Sequence, residues 1–505
     1  MPFNPLRLSN PINRATFLVR RDHTLGVLLE RLAGIRGNRT MVTEADGLSV
    51  SVADAAGLVA KWAGGISRAC EVGDVVVVAV PNGYEQLLLC LAVSRAGAVP
   101  APVNPQMRPD EIDHVVADSG ATLVLSGAAD LDDGPPLDVA VPADPNDLAA
   151  LFYTSGTTGR PKGAELTHLS LIGGLVAAAA LPSGLHRDEA VMSLPIAHIM
   201  GFVSALGLAC AGIPVRFLPD FHPVKVLDAI ETRRATMFVG VPAMYRMLLD
   251  AGAEDRDLRS VRLWASGADT MPSDLAARFK KMGATAELPL IGPVGEAAFA
   301  EGYGMVETGG GVAAKLSPPG ISAGLGSSMG MALPGYRFKV VDEDGSPVRR
   351  GSVGELLVKG RGVLQGYHGD SEATAATFTD DGWLRTGDLA RMGPLSTVFF
   401  VGRKKDVVKH GGYSVYAVEV EQLICQHPDV ADVAVVALPD ERKGEIPAAV
   451  IVLRPGVELD PDGLATWTGE RLSEYKVPLR WVATDRLPRT GTRKVQRNEL
   501  IALFD

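Results

Sequence analysis

The chain has 505 residues, 47% of them hydrophobic and 21% charged, proportions of a folded globular protein of more than one domain rather than of a disordered chain. Its 49 basic residues are outweighed by 59 acidic ones, a formal charge of −10. That balance argues against a generally cationic nucleic-acid surface, so any anionic ligand is held by local groups. Cys70, Cys90, Cys210 and Cys425 have neither metal-ligand spacing nor the look of a disulfide framework and read as reduced thiols. Near the N-terminus Arg7, Arg14, Arg20 and Arg21 are scattered without an apolar run behind them, which is no secretory signal and sets a cytoplasmic expectation. The most apolar stretch, Ile199–Val215, is shorter than the roughly 20 residues of a membrane span and contains Ser204 and Pro214, so it reads as a buried helix and turn rather than a transmembrane segment.

Taken in chain order, the β-rich run Asp74–Val80, the turn Pro81-Asn82-Gly83 and the helix-like Glu85–Ala98 set a βα rhythm around a mainly parallel sheet. Gly64-Gly65-Ile66-Ser67 matches a carrier-protein attachment motif only superficially, because it sits in a helix-like segment, and it reads as structural. Asp130–Asp147, rich in Pro, Asp and Gly, reads as an exposed connection. It leads to Leu151–Gly163, where hydroxyls and glycines alternate after an apolar run and a lysine closes the loop. Thr154, Ser155, Thr157 and Thr158 offer hydroxyl donors, Gly156, Gly159 and Gly163 let backbone N–H groups approach phosphate oxygens, and Lys162 supplies a point charge. Pro161 and Gly163 stand where a Walker A loop needs Gly and Ser or Thr, which disfavours a common NTPase. Phe238–Pro242 and Arg262–Gly267 read as further strands ending at one sheet edge, where ligands gather in open α/β sheets. The apolar stretch Leu288–Phe299 is a candidate for reshaping a wall of that site. From Gly335 to about Val401 short strands predict a small β subdomain, and Arg403-Lys404-Lys405 marks a linker into a compact end piece.

The loop at 151–163 closely resembles the phosphate-binding signature of the adenylate-forming enzymes, which include acyl-CoA and aryl-CoA synthetases, peptide-synthetase adenylation domains and luciferases. Further motifs follow in that family's order: Gly302–Thr308, Leu384–Asp388, Gly402–Asp406, Lys409–Tyr413 and Pro488–Val495. The resemblance runs from about Ser49 to Val495. It implies an α/β fold with a large N-terminal domain of βα-layered sheets and a small β subdomain (1–402), then a smaller mobile α+β C-terminal domain (403–505).

By that resemblance ATP or AMP is held by Thr154, Ser155, Gly156, Thr157, Thr158, Gly159 and Lys162, by Gly267 and Ala268, and by Glu301, Gly302, Tyr303, Gly304 and Met305, with Tyr303 on adenine. Asp388, whose two oxygens suit a vicinal diol, takes the ribose, and Arg403 lies near ribose and phosphate. Glu307 is the Mg²⁺ ligand, since a carboxylate beside a triphosphate needs a cation between them. Val306 stands where the family usually has a threonine reaching the α-phosphate, with Thr308 two residues on. Lys494 is the adenylation catalyst, although Arg493 precedes it where glycine is usual. Lys405 is the hinge. Lys409, Gly411, Gly412 and Tyr413 form the expected CoA loop, its glycines permitting close approach of the pantetheine arm. His198 gates or positions the carboxylate, and Val241, Met244, Gly309, Gly310 and Val312 complete an apolar acyl pocket with no obvious second cation for a dicarboxylate.

The activity so implied is ATP-dependent acyl-CoA synthesis. A carboxylic acid, expected to be a fatty or other hydrophobic acid, reacts with Mg·ATP to give acyl-AMP and pyrophosphate, and CoA then takes the acyl group and releases AMP. An acyl-AMP ligase that loads a carrier protein would share every adenylation residue. A nucleotide-binding protein without catalysis is the third reading, opposed by Glu307, Asp388 and Lys494, and luciferase-type oxidation is a remote fourth.

Overall fold

Four consecutive valines, Val75–Val78, form the middle strand of a parallel sheet between Val99–Pro102 and Leu123–Leu125. β-Branched residues suit extended backbone, and a run without polar alternation suits a strand covered on both faces. The helix Tyr84–Arg95 that follows is buried all round, so its apolar residues form no stripe. Gly97, at φ +80°, then turns the chain into the next strand, which is why the helix stops short of Ala98.

A computed structural model describes residues 11–154, 160–180, 188–288, 291–321, 328–489 and 495–504. Their packing divides into one unit of Met1–Arg337 with Lys359–Leu384 and another of Phe338–Val358 with Arg385–Asp505. This division follows packing, whereas the expected 402/403 boundary concerns where the chain would pivot.

The main sheet of the first unit runs Ser328–Ala332, Gly310–Ser317, Ala298–Met305, Leu263–Gly267, Met237–Gly240, Ala190–Met192, Val215–Phe217, Thr40–Thr43, Ser49–Ser51. From Ala298–Met305 to Thr40–Thr43 all neighbours are parallel; antiparallel strands flank that block. Helices Ile199–Ala211, Pro223–Arg233, Pro242–Asp250 and Ser273–Met282 alternate with the strands, as the βα rhythm predicts. Around Tyr245 the fully buried rings of Phe238, Trp264, Phe279 and Phe299 meet mostly edge to face, adding to the stabilisation from their burial.

The apolar stretch 199–215 contains the 13-residue helix Ile199–Ala211, and no helix among the described residues is long and apolar enough to cross a membrane. Gly64 and Gly65 lie inside the helix Val52–Ala69. A Cβ on Gly64 would sit 2.2 Å from Pro135 O, so the glycine lets the 131–137 connection cross the helix closely, a structural role. Leu288–Phe299 does not wall the site. Ala286–Leu288 and Gly292–Val294 pair as a hairpin, tied by Glu287 to Arg234 at 3.2 Å and by Pro293 O to Arg259 at 3.3 Å. Both arginines precede strands, so the hairpin stands at their amino ends, opposite the expected site, and Phe299 belongs to the core.

The second unit holds most of Tyr336–Val341, Val353–Gly360 and Leu384–Met392 and all of Val398–Arg403, neighbours in that order, the short strands expected between 335 and 401. Beyond them Tyr413–Tyr416, Val407–His410, Gly444–Leu453 and Val430–Asp440 form a sheet joined by Arg480–Ala483. Helices Ala417–Ile424, Pro461–Gly469 and Arg497–Ile501 accompany it.

Candidate active site

The parallel strands of the first unit end together, with Gly240 beside Ser266, Ser266 beside Glu301 and Gly267 beside Gly302. Polar loops can therefore collect at one edge. His198 caps the helix Ile199–Ala211, its Nδ1 accepting the Met200 N–H at 3.2 Å. From the same helix Met200 and Val203 approach Gly267 and Gly310, where an added Cβ would lie 3.3 Å and 3.2 Å from them. Ala268 is left-handed at φ +66°, an uncommon state for a residue with a side chain. Met244 lies under Gly240 and is buried, Val312 is fully buried, and Val241 packs against the core.

Beyond Met305 the chain turns through Val306–Thr308. A Cβ on Gly304 would fall 1.9 Å from Gly310 O, so only glycine admits the close strand approach at the bulge after Tyr303. Thr308 is fully buried. Its hydroxyl accepts the Met305 N–H at 3.0 Å and lies 2.7 Å from Gly310 O and 2.9 Å from Met305 O. It braces the turn from inside and so does not stand in for the threonine hydroxyl that the resemblance leads one to expect at position 306.

Glu307, at the crest of this turn, accepts a hydrogen bond on Oε1 from the Tyr367 hydroxyl at 2.9 Å. Burial, and then the Glu307 charge, pushes the Tyr367 phenol well above its ordinary pKa, so it stays a donor. Lys162 Nζ lies 2.8 Å from Asp370 Oδ2 and 5.7 Å from the centre of the Tyr367 ring. The Lys162 hydrogen bond holds the Asp370 pKa below its usual value. Thr154 and Lys162 pair across the antiparallel strands Leu148–Thr154 and Lys162–Thr167, so the loop expected to bind phosphate joins two strands. Ser155, Gly156, Thr157, Thr158 and Gly159 lie outside the described residues.

Glu301 pairs across the sheet with Lys315, Nζ to Oε1 at 2.7 Å, both little exposed. Burial raises the Glu301 pKa, against the pull of Lys315. Tyr303 is partly buried beside the bulge.

In the second unit Asp388 and Arg403 are cross-strand partners. Arg403 Nε lies 2.7 Å from Asp388 Oδ1, and the carboxylate is buried. The exposed Lys405 occupies the turn Lys404–Asp406. Gly411 and Gly412, at φ +57° and +85° with open space around each Cβ position, make the tight turn of the hairpin Val407–His410/Tyr413–Tyr416. A two-residue turn with both φ positive calls for glycine by itself. Lys409 and Tyr413 flank it and are exposed, and the Tyr413 ring stacks on Tyr475 at 4.5 Å.

Lys494 and Arg493 lie outside the described residues, but the chain on either side is anchored. Arg489 meets Asp432 at 2.5 Å, and Arg497 NH2 holds both oxygens of Glu421 at 2.7 Å and 2.9 Å. Tyr367 and Asp370 were missed in the sequence. Asp370 carries a local signal, as the N-cap of Ser371–Thr377, but nothing local points to Lys162, 208 residues away.

The AMP-binding enzyme family profile matches residues 29–140 and 128–368, and the profile of that family's C-terminal domain matches 419–494. The chain belongs to the AMP-binding enzyme family, in its acyl-CoA synthetase branch. It is similar to a feruloyl-CoA synthase of Amycolatopsis sp, 34% identical over 96% of this chain and 100% of that protein. It is also similar to 4-coumarate–CoA ligase 5 of Oryza sativa subsp. japonica, 31% identical over 94% and 93%. Among solved structures, ATP-bound MatB from Rhodopseudomonas palustris superposes with a TM-score of 0.84 at 30% identity, covering 95% of this chain and 99% of that one. The Bacillus subtilis o-succinylbenzoate-CoA synthetase with ATP and magnesium gives 0.81 at 25% identity over 95% and 99%.

In this AMP-binding enzyme the Glu307 carboxylate has the chemistry to face a hard cation. Tyr367 holds one oxygen, and the other has no partner among the described residues. No cluster of three or more His, Cys, Asp or Glu groups able to hold a metal occurs among the described residues. A Mg²⁺ ion at Glu307 would therefore draw its remaining ligands from phosphate and water, its usual arrangement in nucleotide sites.

Proposed function

We propose that this enzyme is an ATP- and Mg²⁺-dependent ligase that turns a hydrophobic carboxylic acid, preferentially an aromatic one, into its CoA thioester through an acyl-adenylate. The observation that carries the reading is the group of Lys162, Tyr367 and Glu307 beside the converging strand ends, which offers a triphosphate one cation and one oriented carboxylate. A carboxylate reacts poorly as an acyl donor because oxide is a bad leaving group; exchange for AMP removes that obstacle without an enzyme nucleophile. Lys162 and the loop before it bind the phosphates, and Tyr303 receives the adenine. Asp388 with Arg403 is assigned to the ribose. Mg²⁺ held at Glu307 would offset triphosphate charge. Lys494 supplies the cation for the pentacoordinate phosphorus. In the second step the thiol of CoA attacks the mixed anhydride, and Lys409, Gly411, Gly412 and Tyr413 are assigned to that substrate, with Lys405 as the pivot between steps.

Two features support a hydrophobic acid over a dicarboxylate. The residues assigned to the acyl group are apolar or glycine. The buried cation on the neighbouring strand, Lys315, is already paired with Glu301, so it is a poor partner for a second substrate carboxylate. Relatives named for feruloyl, 4-coumarate and indoleacetate substrates favour an aromatic acid over the fatty acid also expected. Each buried CH₂ contributes up to ~0.8 kcal/mol, so a ring-bearing acid is expected to exceed acetate more than tenfold in kcat/KM. A panel of cinnamic, arylacetic, straight-chain and dicarboxylic acids, read by CoA-dependent AMP release and acyl-CoA formation, tests this. Preference for acetate or malonate would reject the substrate class, and acyl-AMP without acyl-CoA across the panel would replace CoA by a carrier protein.

A further inference from the structure

The segment 364–370 belongs to none of the motifs that point to the nucleotide, yet it touches both groups assigned to the triphosphate. Its backbone runs alongside the strand Lys162–Thr167: Glu165 N donates to Gly366 O at 2.9 Å, Gln365 N to Glu165 O at 2.9 Å and His368 N to Gly163 O at 2.8 Å. Leu364 N donates to Glu307 O at 2.9 Å, and His368 Nδ1 lies 2.9 Å from Glu165 Oε1. The segment is thereby fixed against the strand that begins with Lys162 and the turn that carries Glu307. From this register the Tyr367 hydroxyl reaches Glu307 Oε1, its ring lies near the Lys162 ammonium, and Asp370 Oδ2 takes that ammonium.

We infer that Tyr367 and Asp370 are positioning residues for the nucleotide: Tyr367 aims the Glu307 carboxylate at the cation side of the triphosphate, and Asp370 holds Lys162 until phosphate displaces it. The inference rests on the reading of Lys162 and Glu307 as triphosphate groups. Asp370 divides its oxygens between two tasks. Oδ1 accepts the Ala373 N–H at 2.8 Å and caps the helix Ser371–Thr377, which leaves Oδ2 for the lysine. With side-chain exposures of 46% for Lys162 and 37% for Asp370, the ion pair is weak enough for a multiply charged phosphate to open it. The Tyr367–Glu307 bond is of another kind. It leaves the second carboxylate oxygen without a partner among the described residues and limits rotation of the group, so a cation meets a ligand already oriented.

Equilibrium ATP binding by calorimetry on the full chain, without acid or CoA, separates these roles. It is measured first in EDTA and then across a Mg²⁺ titration. Asp370→Asn keeps an N-capping side chain, since Asn caps about as well as Asp, and removes only the charge. Mg²⁺-free ATP binding should tighten about two- to fivefold; unchanged or weaker binding overturns the holding role. Tyr367→Phe keeps the ring and deletes the hydroxyl. It should leave Mg²⁺-free binding within about twofold while raising the Mg²⁺ concentration for half-maximal enhancement about three- to tenfold. A role confined to folding would lower the melting temperature and weaken ATP binding alike with and without Mg²⁺, and that pattern overturns the aiming role. In a Glu307→Gln background Tyr367→Phe should change nothing further in Mg²⁺ dependence; a persisting effect also rejects the aim at Glu307. If Tyr367→Phe fails to fold, Asp370→Asn still decides the holding role, and Tyr367→Met, which also removes the hydroxyl, decides the aiming role in the same Mg²⁺ titration. Lys162→Met and Glu307→Gln alone distinguish the underlying reading: if neither alters ATP binding or its Mg²⁺ dependence, the triphosphate assignment fails rather than the positioning.

Discussion

His168 opens the short helix after the phosphate-loop strands, and its Nδ1 accepts the Leu25 N–H at 3.1 Å with the residue 3% exposed. Burial pushes its pKa down to about 4 from 6.5, against the opposing charges of Asp147 and Asp144. The folded state keeps the ring neutral, whereas the unfolded chain takes up a proton below about pH 6.5. The resulting stability is therefore complete above about pH 6.5 and is lost as the pH falls toward 4, a loss of about 3 kcal/mol by pH 4. His168→Gln can still accept the Leu25 N–H but cannot titrate. Urea unfolding at pH 7 and pH 4 should show the wild type losing about 3 kcal/mol more than the variant; equal losses would remove His168 as the cause. At this same scale, residue type alone misleads at Thr308. Its hydroxyl looks available in the sequence, yet in the fold it is buried in its own turn, and only the register of the two strands around it decides that.

The hairpin Ala286–Leu288/Gly292–Val294 shows the corresponding limit at the level of elements. Its apolar and glycine content suggested a wall of the site, but its ties to Arg234 and Arg259 put it at the amino ends of the strands, while Gly240 and Gly267 end those strands at the other edge. Replacing Glu287–Pro293 by a two-residue Asn-Gly turn should leave kcat/KM within about twofold for the preferred acid, with the ranking of acids unchanged. A reordered acid preference would bring the hairpin back into the site. The βα units themselves were legible, because apolar runs, turn residues and helical periodicity are local signals. Segment 364–370 was not. Its residues acquire their meaning from a strand some 200 residues earlier, and their local pattern says only that a helix follows Asp370.

Across the whole molecule the ordered motifs were legible enough to identify an adenylate-forming enzyme, because phosphate, diol and cation chemistry each require particular residues. The packing units were less so. Phe338–Val358 packs with the chain after Arg385, while Lys359–Leu384 packs with the first unit, and the alternation of short strands there carries no mark of which partner each will choose. Under the proposed function the later part of the chain serves two different steps. Lys494 is assigned to the first, where charge develops at phosphorus, and Lys409 to the second, where CoA brings several phosphates to an exposed loop. Lys494→Ala should cut acid-dependent pyrophosphate exchange by about a hundredfold or more, with thioester formation from supplied acyl-adenylate near wild type. Lys409→Glu should do the reverse, leaving exchange intact and raising the KM for CoA about tenfold, a difference that shrinks in high salt because the contact is exposed and screened. Parallel assays of both half-reactions decide between a divided and a common role. If either variant slows both half-reactions by the same factor, that lysine acts through stability or through a step common to both, and its assignment to one step fails.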